Sequence, residues 1–385
     1  MVVVLAAVLT IVLSSTYLYP IVRTWATAQN TPPEEPEPDP QDPVVIVEPE
    51  EPAPIPYVHP KVKGIYVSAN IAATPHLLNE LLTWVDETVL NAVVIDVKDD
   101  FGKIPWATEV PLAAANNLFD RRLKAIEELM VRLELMEIYP IARLVTFKDP
   151  GLALAKPDWA VRNQAGGIWK DNKGHGWLDP YNREAWVYIV DVAKEAASKG
   201  FKEIQFDYVR FPADGKVSNI VYEHGTDATR SETIRDFLQY AKSELEPLGV
   251  KVAADIFGLV PVVRTNDMGI GQVLEDVYSS VDVVSPMVYP EHYAPNTFGI
   301  ADPDKEPYFT VLKTLQAAKE RLEATEYADS VVVRPWLQDF TLRHKYGVKE
   351  VKAQVQAVQD AGFEEWLLWD PRCRYTKDAF TKITP

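Results

Sequence analysis

From Lys63 onward the chain alternates eight times between short β-rich apolar runs and longer segments of helical periodicity. No other feature restricts the accessible folds so strongly. The pattern predicts strands over Lys63–Ala69, Ala92–Lys98, Glu137–Thr146, Glu203–Phe211, Lys251–Val260, Val281–Tyr289, Val331–Phe340 and Glu364–Trp369. It predicts helices over Leu77–Glu87, Arg122–Leu133, Arg183–Ser198, Glu232–Leu245, Tyr308–Leu322 and Val348–Asp360. Leu78, Leu81, Leu82 and Val85 show the three- and four-residue apolar spacing that defines one helix face. Pro75 opens the first helix, and Gly200 and Gly362 follow two others, as helix punctuation requires. Strand–helix alternation implies parallel pairing through right-handed crossovers. Eight such units close on themselves, so the expected fold is α/β, a single (β/α)8 TIM barrel. An open doubly wound sheet fits less well, because no Gly-x-Gly-x-x-Gly follows the first strand.

The chain before the barrel is of another kind. Val2 to Val22 is almost wholly apolar, and about 20 such residues are enough to cross a bilayer as a helix. Ala26-Thr27-Ala28 fits a signal-peptidase site, so residues 1–28 read either as a signal peptide or as a membrane anchor. Asn30 to Pro60 holds eleven prolines and eight acids, which makes 29–60 an extended, solvated linker. The barrel is then expected over 61–385. Both readings of the N-terminus place the protein outside the cytoplasm, secreted or held at the cell envelope. Membrane contact is expected only through the N-terminal segment.

The 385 residues are 47% hydrophobic, enough for one large core, and carry a formal net charge of -17. That balance argues against a nucleic-acid partner, which needs clustered Lys and Arg. The one cysteine, Cys373, forms no internal disulfide, so the core must stand without cross-links.

In a parallel barrel the active site lies at the C-terminal rim of the strands. Charged residues inside otherwise apolar strands are therefore informative. They are Asp96 and Lys98, Arg143, Asp207 and Arg210, Asp255, Asp339 and Asp370. Tyr289, Trp336, Gln338 and Trp369 add aromatic and amide groups near other strand ends. On strand four, Gln205 and Asp207 alternate with the bulky pair Phe206 and Tyr208, so the former should face the lumen and the latter the helices. On strand five, Ala253, Asp255 and Phe257 share a face. Neighbouring strands lie about 4.8 Å apart, which brings the two carboxylates within reach of one sugar. A nearby cation, Arg210, would keep Asp207 ionised as nucleophile or charge stabiliser. The apolar surroundings of Asp255 would raise its pKa and suit a general acid/base. The plain alternative is a structural ion pair with Arg143 or Arg210, and Asp96 is the strongest rival acid.

Residues 63–67, 91–99, 206–212 and 285–290 (the third reading Phe-Asp-Tyr-Val-Arg-Phe-Pro) resemble, in order, the motifs of a bacterial glycosyl hydrolase domain family. That family is a TIM-barrel relative of the α-amylase and α-galactosidase groups. The resemblance covers about Lys63 to Tyr375. In those relatives a strand-four aspartate is the nucleophile, and the resemblance places that role on Asp207. The role of Asp255 rests on the strand argument alone.

The remaining candidates are contacts for a poly- or oligosaccharide. Trp177 and Trp169 lie in a Gly- and Trp-rich insertion, Phe147 to Pro180, expected over the barrel mouth, with Trp106, Trp336 and Trp369 near other rims. Indole faces suit pyranose C–H surfaces. Lys148-Asp149 and Lys98-Asp99-Asp100 offer hydrogen bonds to hydroxyls. No metal site or cofactor is expected, since the six histidines are scattered and no phosphate-cradling glycine loop occurs. His175 and His292 read as surface residues. The absent Gly-x-Ser-x-Gly elbow speaks against a serine esterase, and the absent Asp/His metal set against a polysaccharide deacetylase. A glycan-binding barrel without catalysis is the alternative to a two-carboxylate glycosidase.

Overall fold

The computed structural model describes residues 60–380 apart from Thr226. The signal or anchor segment and most of the linker therefore lie outside the described residues, and among the latter no helix is long and apolar enough to cross a membrane.

Eight parallel strands form a closed barrel. They are β1 (Lys63–Val67), β2 (Ala92–Lys98), β3 (Tyr139–Val145), β4 (Glu203–Asp207), β5 (Lys251–Phe257), β6 (Val283–Val288), β7 and β8 (Trp366–Trp369). Strand β7 comes in two pieces, Val332–Val333 and Trp336–Gln338, interrupted at Arg334-Pro335. Each strand pairs with its sequence neighbours, β8 returns to β1, and every ladder is parallel. All seven positions of β2 and of β3 are buried, as expected where one strand face meets the lumen and the other the helices.

The main flanking helices are α1 (Pro75–Asp86), α2 (Ile126–Leu135), α3 (Arg183–Ser198), α4 (Arg230–Leu245), α5 (Leu274–Tyr278), α6 (Pro307–Glu323) and α7 (Val348–Asp360). Their starts follow local chemistry. Pro75 occupies the first turn of α1, and Asn182 accepts from the Glu184 and Ala185 amides at the head of α3. Thr229 and Glu232 form a reciprocal capping box on α4. Phe206 points outward from β4 and meets Phe237 of α4 edge-to-face at 5.4 Å. Helix α5, only five residues long, was not marked by the sequence pattern. After β8 the described chain carries a short 3-10 turn, Lys377–Ala379, and Phe380 stacks on Trp366.

At the N-terminal end of the strands, Arg334 spans the barrel floor. It donates to Glu203 at 2.6 Å and to Glu365 at 2.8 Å, with Arg334 and Glu203 both buried. Burial pushes the Glu203 carboxyl up, and the Arg334 charge opposes it. Removing one partner of such a group strands the other charge without water. Arg334→Met should therefore destabilise the barrel by about 3–5 kcal/mol in urea unfolding. The double variant Arg334→Met/Glu203→Leu should recover most of that loss.

Candidate active site

The lumen near the strand C-termini is organised by Arg143 of β3. Its Nε and Nη2 donate to Asp207 Oδ2 at 2.9 and 2.6 Å, and its Nη1 donates to Asp96 Oδ1 at 2.7 Å. Asp96 also accepts from the Tyr66 hydroxyl at 2.6 Å. Burial by itself would lower the Arg143 pKa, but Asp207 and Asp96 outweigh it and hold the guanidinium well above its ordinary value. The second oxygen of Asp207 accepts from the Tyr208 amide at 2.6 Å. Asp207 is thus fixed through both oxygens, against a cation it shares with Asp96.

Asp255 lies beside it in a different setting. The β4–β5 ladder pairs Phe206 with Ala254, so the next positions on the two strands are Asp207 and Asp255. Asp255 Oδ1 accepts from Gln205 Nε2 at 2.6 Å and from Trp336 Nε1 at 2.7 Å, both uncharged donors. Among the described residues no hydrogen bond reaches Oδ2. Burial pushes the Asp255 carboxyl well above the usual aspartate range; the charge of Asp207 adds to this, and the Trp336 and Gln205 bonds oppose it.

A cavity of about 840 Å³ opens over these two acids, within the roughly 300–1,000 Å³ of small-molecule sites. Of the residues predicted from sequence, Asp100, Arg143, Lys148, Asp207, Arg210, Asp255, Tyr289, Trp336 and Trp369 line it. Trp369 faces the Arg143 guanidinium at 5.3 Å and meets Trp336 edge-to-face. Lys148 donates to Asp100 at 2.9 Å and sits 4.5 Å from the Tyr208 ring centre.

Other predicted contacts lie elsewhere. Asp96 stands behind Arg143 as its anchor. Lys98 and Asp149 form a fully buried ion pair at 2.8 Å, with Lys98 also donating to the Val145 carbonyl. A register shift between Asp96 and Lys98 breaks the two-residue alternation that would otherwise put both in the lumen. Asp149 also caps the helix Pro150–Ala155. Trp177 is buried, donates to Asp171, and lies beneath the Arg210 guanidinium at 4.9 Å, so it supports that cation and does not face the cavity. Gln338 is spent on backbone, accepting from the Glu291 amide and donating to the Phe340 carbonyl. Asp370 accepts from the Arg372 and Arg374 amides in the turn after β8. Asp339 holds Thr376, with burial raising its pKa to about 7. Trp106 and Trp169 are buried in the core.

The ion pair expected between Arg210 and Asp207 is replaced by that from Arg143. Arg210 instead donates to the Phe211 carbonyl and packs among aromatic rings. Tyr208 was expected to face the helices, yet it lines the cavity, because β4 ends at Asp207 and Tyr208 takes a left-handed φ of 51°. His175 and His292, read as surface residues, also line the cavity, as do Phe101 and Lys173. The insertion after β3 does reach the mouth, through Lys148, Lys173 and His175. Gly258 follows β5 where a Cβ would meet the Met287 carbonyl oxygen at 2.5 Å, so only glycine lets these chains approach. Among the described residues no group of three or more metal-ligating side chains is gathered.

A closed parallel barrel with two differently held carboxylates at its C-terminal mouth has the architecture of the barrel glycoside hydrolases. Residues 64–375 match the family described as "Putative glycosyl hydrolase domain", and the chain belongs to that family. The glycoside hydrolase domain of PgaB (BpsB) from Bordetella bronchiseptica shares the fold, with a TM-score of 0.57 at 14% identity, covering 84% of this chain and 100% of that one. The catalytic domain of a beta-amylase from Paenibacillus polymyxa does so at 0.50 and 10% identity, covering 83% and 95%. A hypothetical protein from Ruminiclostridium thermocellum ATCC 27405 is 35% identical over 50% of this chain and 96% of its own, with a TM-score of 0.46. No curated protein matches the chain.

The raised Asp255 pKa sets a pH dependence. A group whose folded pKa lies above its unfolded one gives stability at low pH, which is lost as pH rises toward the folded value. Wild-type melting temperature should fall on that count between acidic and mildly alkaline pH. Asp255→Asn keeps an oxygen to accept from Gln205 and Trp336 and removes the ionisation. Its melting temperature should exceed that of wild type at pH 8 and match it near pH 4, as scanning calorimetry would show.

Proposed function

We propose that this protein is a glycoside hydrolase acting on an extracellular or cell-envelope polysaccharide, with Asp207 as nucleophile or charge stabiliser and Asp255 as general acid/base. The observation that carries this reading is the pair of carboxylates at adjacent positions of β4 and β5. One is held against a guanidinium and the other is held among neutral donors. In this reading Asp255 gives its proton to the glycosidic oxygen as the bond to the anomeric carbon breaks. Asp207 meets the positive charge that develops on the sugar. Asp255, now ionised, takes a proton from the water that attacks the anomeric carbon, and the hydroxyl remains with the sugar. The spacing of adjacent strands, about 4.8 Å, favours the short carboxylate separation of enzymes that form a covalent intermediate. The apolar segment at Val2–Val22 and the Pro- and acid-rich stretch after it support export, either released or tethered.

One observation favours the alternative of a glycan-binding barrel without turnover: Asp207 Oδ2 already accepts two bonds from Arg143. Turnover separates the two. Asp207→Asn should lower kcat by about 10⁴-fold or more, with the melting temperature changed by only a few degrees because Arg143 keeps Asp96. Unaltered hydrolysis in that variant would remove Asp207 from the mechanism. Asp255→Asn should lose about 10²–10⁴-fold on natural glycans but little on aryl glycosides with good leaving groups, which need no protonation. Equal losses on both would assign the proton to another acid. Reducing-end release from a glycan panel provides both measurements.

A further inference from the structure

The cavity wall carries four cations, Arg143, Lys148, Lys173 and Arg210, against three carboxylates, Asp100, Asp207 and Asp255. Two of the cations are accounted for within the protein, since Arg143 is met by Asp207 and Asp96, and Lys148 by Asp100. The other two are not. Among the described residues no carboxylate pairs with Arg210 or Lys173. This occurs in a chain whose formal net charge is -17, where acids are plentiful.

Arg210 is held with care for a group that lacks an ionic partner. Its guanidinium carbon lies 4.9 Å from the Trp177 ring centre, 5.1 Å from that of Tyr208 and 4.7 Å from that of Phe257. Its Nη1 is spent on the Phe211 carbonyl at 3.0 Å. Burial lowers its pKa, the opposite of the outcome at Arg143, where carboxylates more than compensate. Asp207, Asp214 and Asp171 act on it only from beyond contact distance, and burying a cation with no anion in contact is costly, so the arrangement is one that a ligand completes. Phe211 occupies Nη1, and among the described residues Nε and Nη2 donate no hydrogen bond, which leaves the Nε–Nη2 edge. That edge is a planar two-donor fork, and its match is the planar carboxylate.

Resting on the hydrolase reading above, we propose that the glycan is acidic, and that Arg210, aided by Lys173, binds the carboxylate of a uronate-type sugar in the cavity. Tyr208, between the Lys148 ammonium and Arg210, supplies the wall that orients this sugar.

The test is calorimetric binding to the full chain. The probes are hyaluronan hexasaccharide, oligogalacturonate, the same oligosaccharides with their carboxyls reduced to hydroxymethyl groups, and a sulfated neutral oligosaccharide. At least one carboxylated probe should bind about tenfold or more tightly than its reduced form, in line with a charge-assisted bidentate contact. Arg210→Gln should abolish that preference and Arg210→Lys should keep part of it. Should Arg210→Gln fail to fold, Lys173→Gln on the exposed loop should still weaken the preference measurably. Equal binding of native and reduced probes, no binding of any carboxylated probe at millimolar concentration, or tighter binding of the sulfated one overturns the proposal. Product release measured in the same samples separates it from the hydrolase reading. Cleavage of reduced chains without any carboxylate preference removes the acidic-glycan proposal alone. Carboxylate-dependent binding with no cleavage of any probe supports the anion site and counts against turnover.

Discussion

One guanidinium holds the C-terminal mouth of the barrel together. Arg143 leaves β3 and grips Asp96 on β2 and Asp207 on β4, so three consecutive strands are tied at their C-terminal ends by one side chain. The tie extends further. Tyr66 of β1 donates to Asp96, and Trp369 of β8 lies over the Arg143 guanidinium. Desolvating one cation and two anions costs several kcal/mol per ion, and only good geometry offsets it. The benefit is positional as much as energetic. Asp207 cannot rotate without losing two charge-assisted bonds, and the nucleophile proposed here would need to be held to within a fraction of an ångström.

Arg143 also determines what Asp255 is not. The cation reaches β4 and stops, while β7 supplies Asp255 with an indole and β4 supplies it with an amide, both neutral. Strand β4 serves both acids from one face, Gln205 bonding Asp255 and Asp207 meeting Arg143. Burial with only neutral donors in contact pushes the Asp255 carboxyl up, and the charge of Asp207 raises it further.

Much of this was legible in the chain. The number and order of strands follow from apolar periodicity, and the alternation on β4 and β5 correctly put Asp207 and Asp255 on the lumen face and Phe206 against α4. Three physical effects hid the rest. Alternation fails where the backbone departs from a regular strand, so the left-handed Tyr208 enters the cavity instead of meeting the helices, and the register shift before Lys98 takes that residue out of the lumen. Sequence proximity made Arg210 the evident partner of Asp207, whereas in a barrel the partner comes from the neighbouring strand, 64 residues away. Polar groups at strand ends read alike whether they face solvent, substrate or backbone. Asp149, Gln338 and Asp370 serve helix caps, amides and turns, which depend on loop geometry that periodicity does not encode.

The backbone reversal at Tyr208 links the proposed chemistry to the proposed recognition. A non-glycine residue with φ of 51° costs of order 1–3 kcal/mol and persists only where its surroundings fix it. Here they do. The Tyr208 amide donates to Asp207 Oδ1, its carbonyl accepts from the Phe147 amide, and its ring lies edge-on to Trp177. Ending β4 at this point turns the chain across the mouth, and two residues later Arg210 falls among Trp177, Tyr208 and Phe257. Had the strand continued, Tyr208 would pack on the helices, Asp207 would lose its amide donor and Arg210 would lose its aromatic enclosure. The strained residue between Asp207 and Arg210 thus sets both the angle of the proposed nucleophile and the position of the unpaired cation.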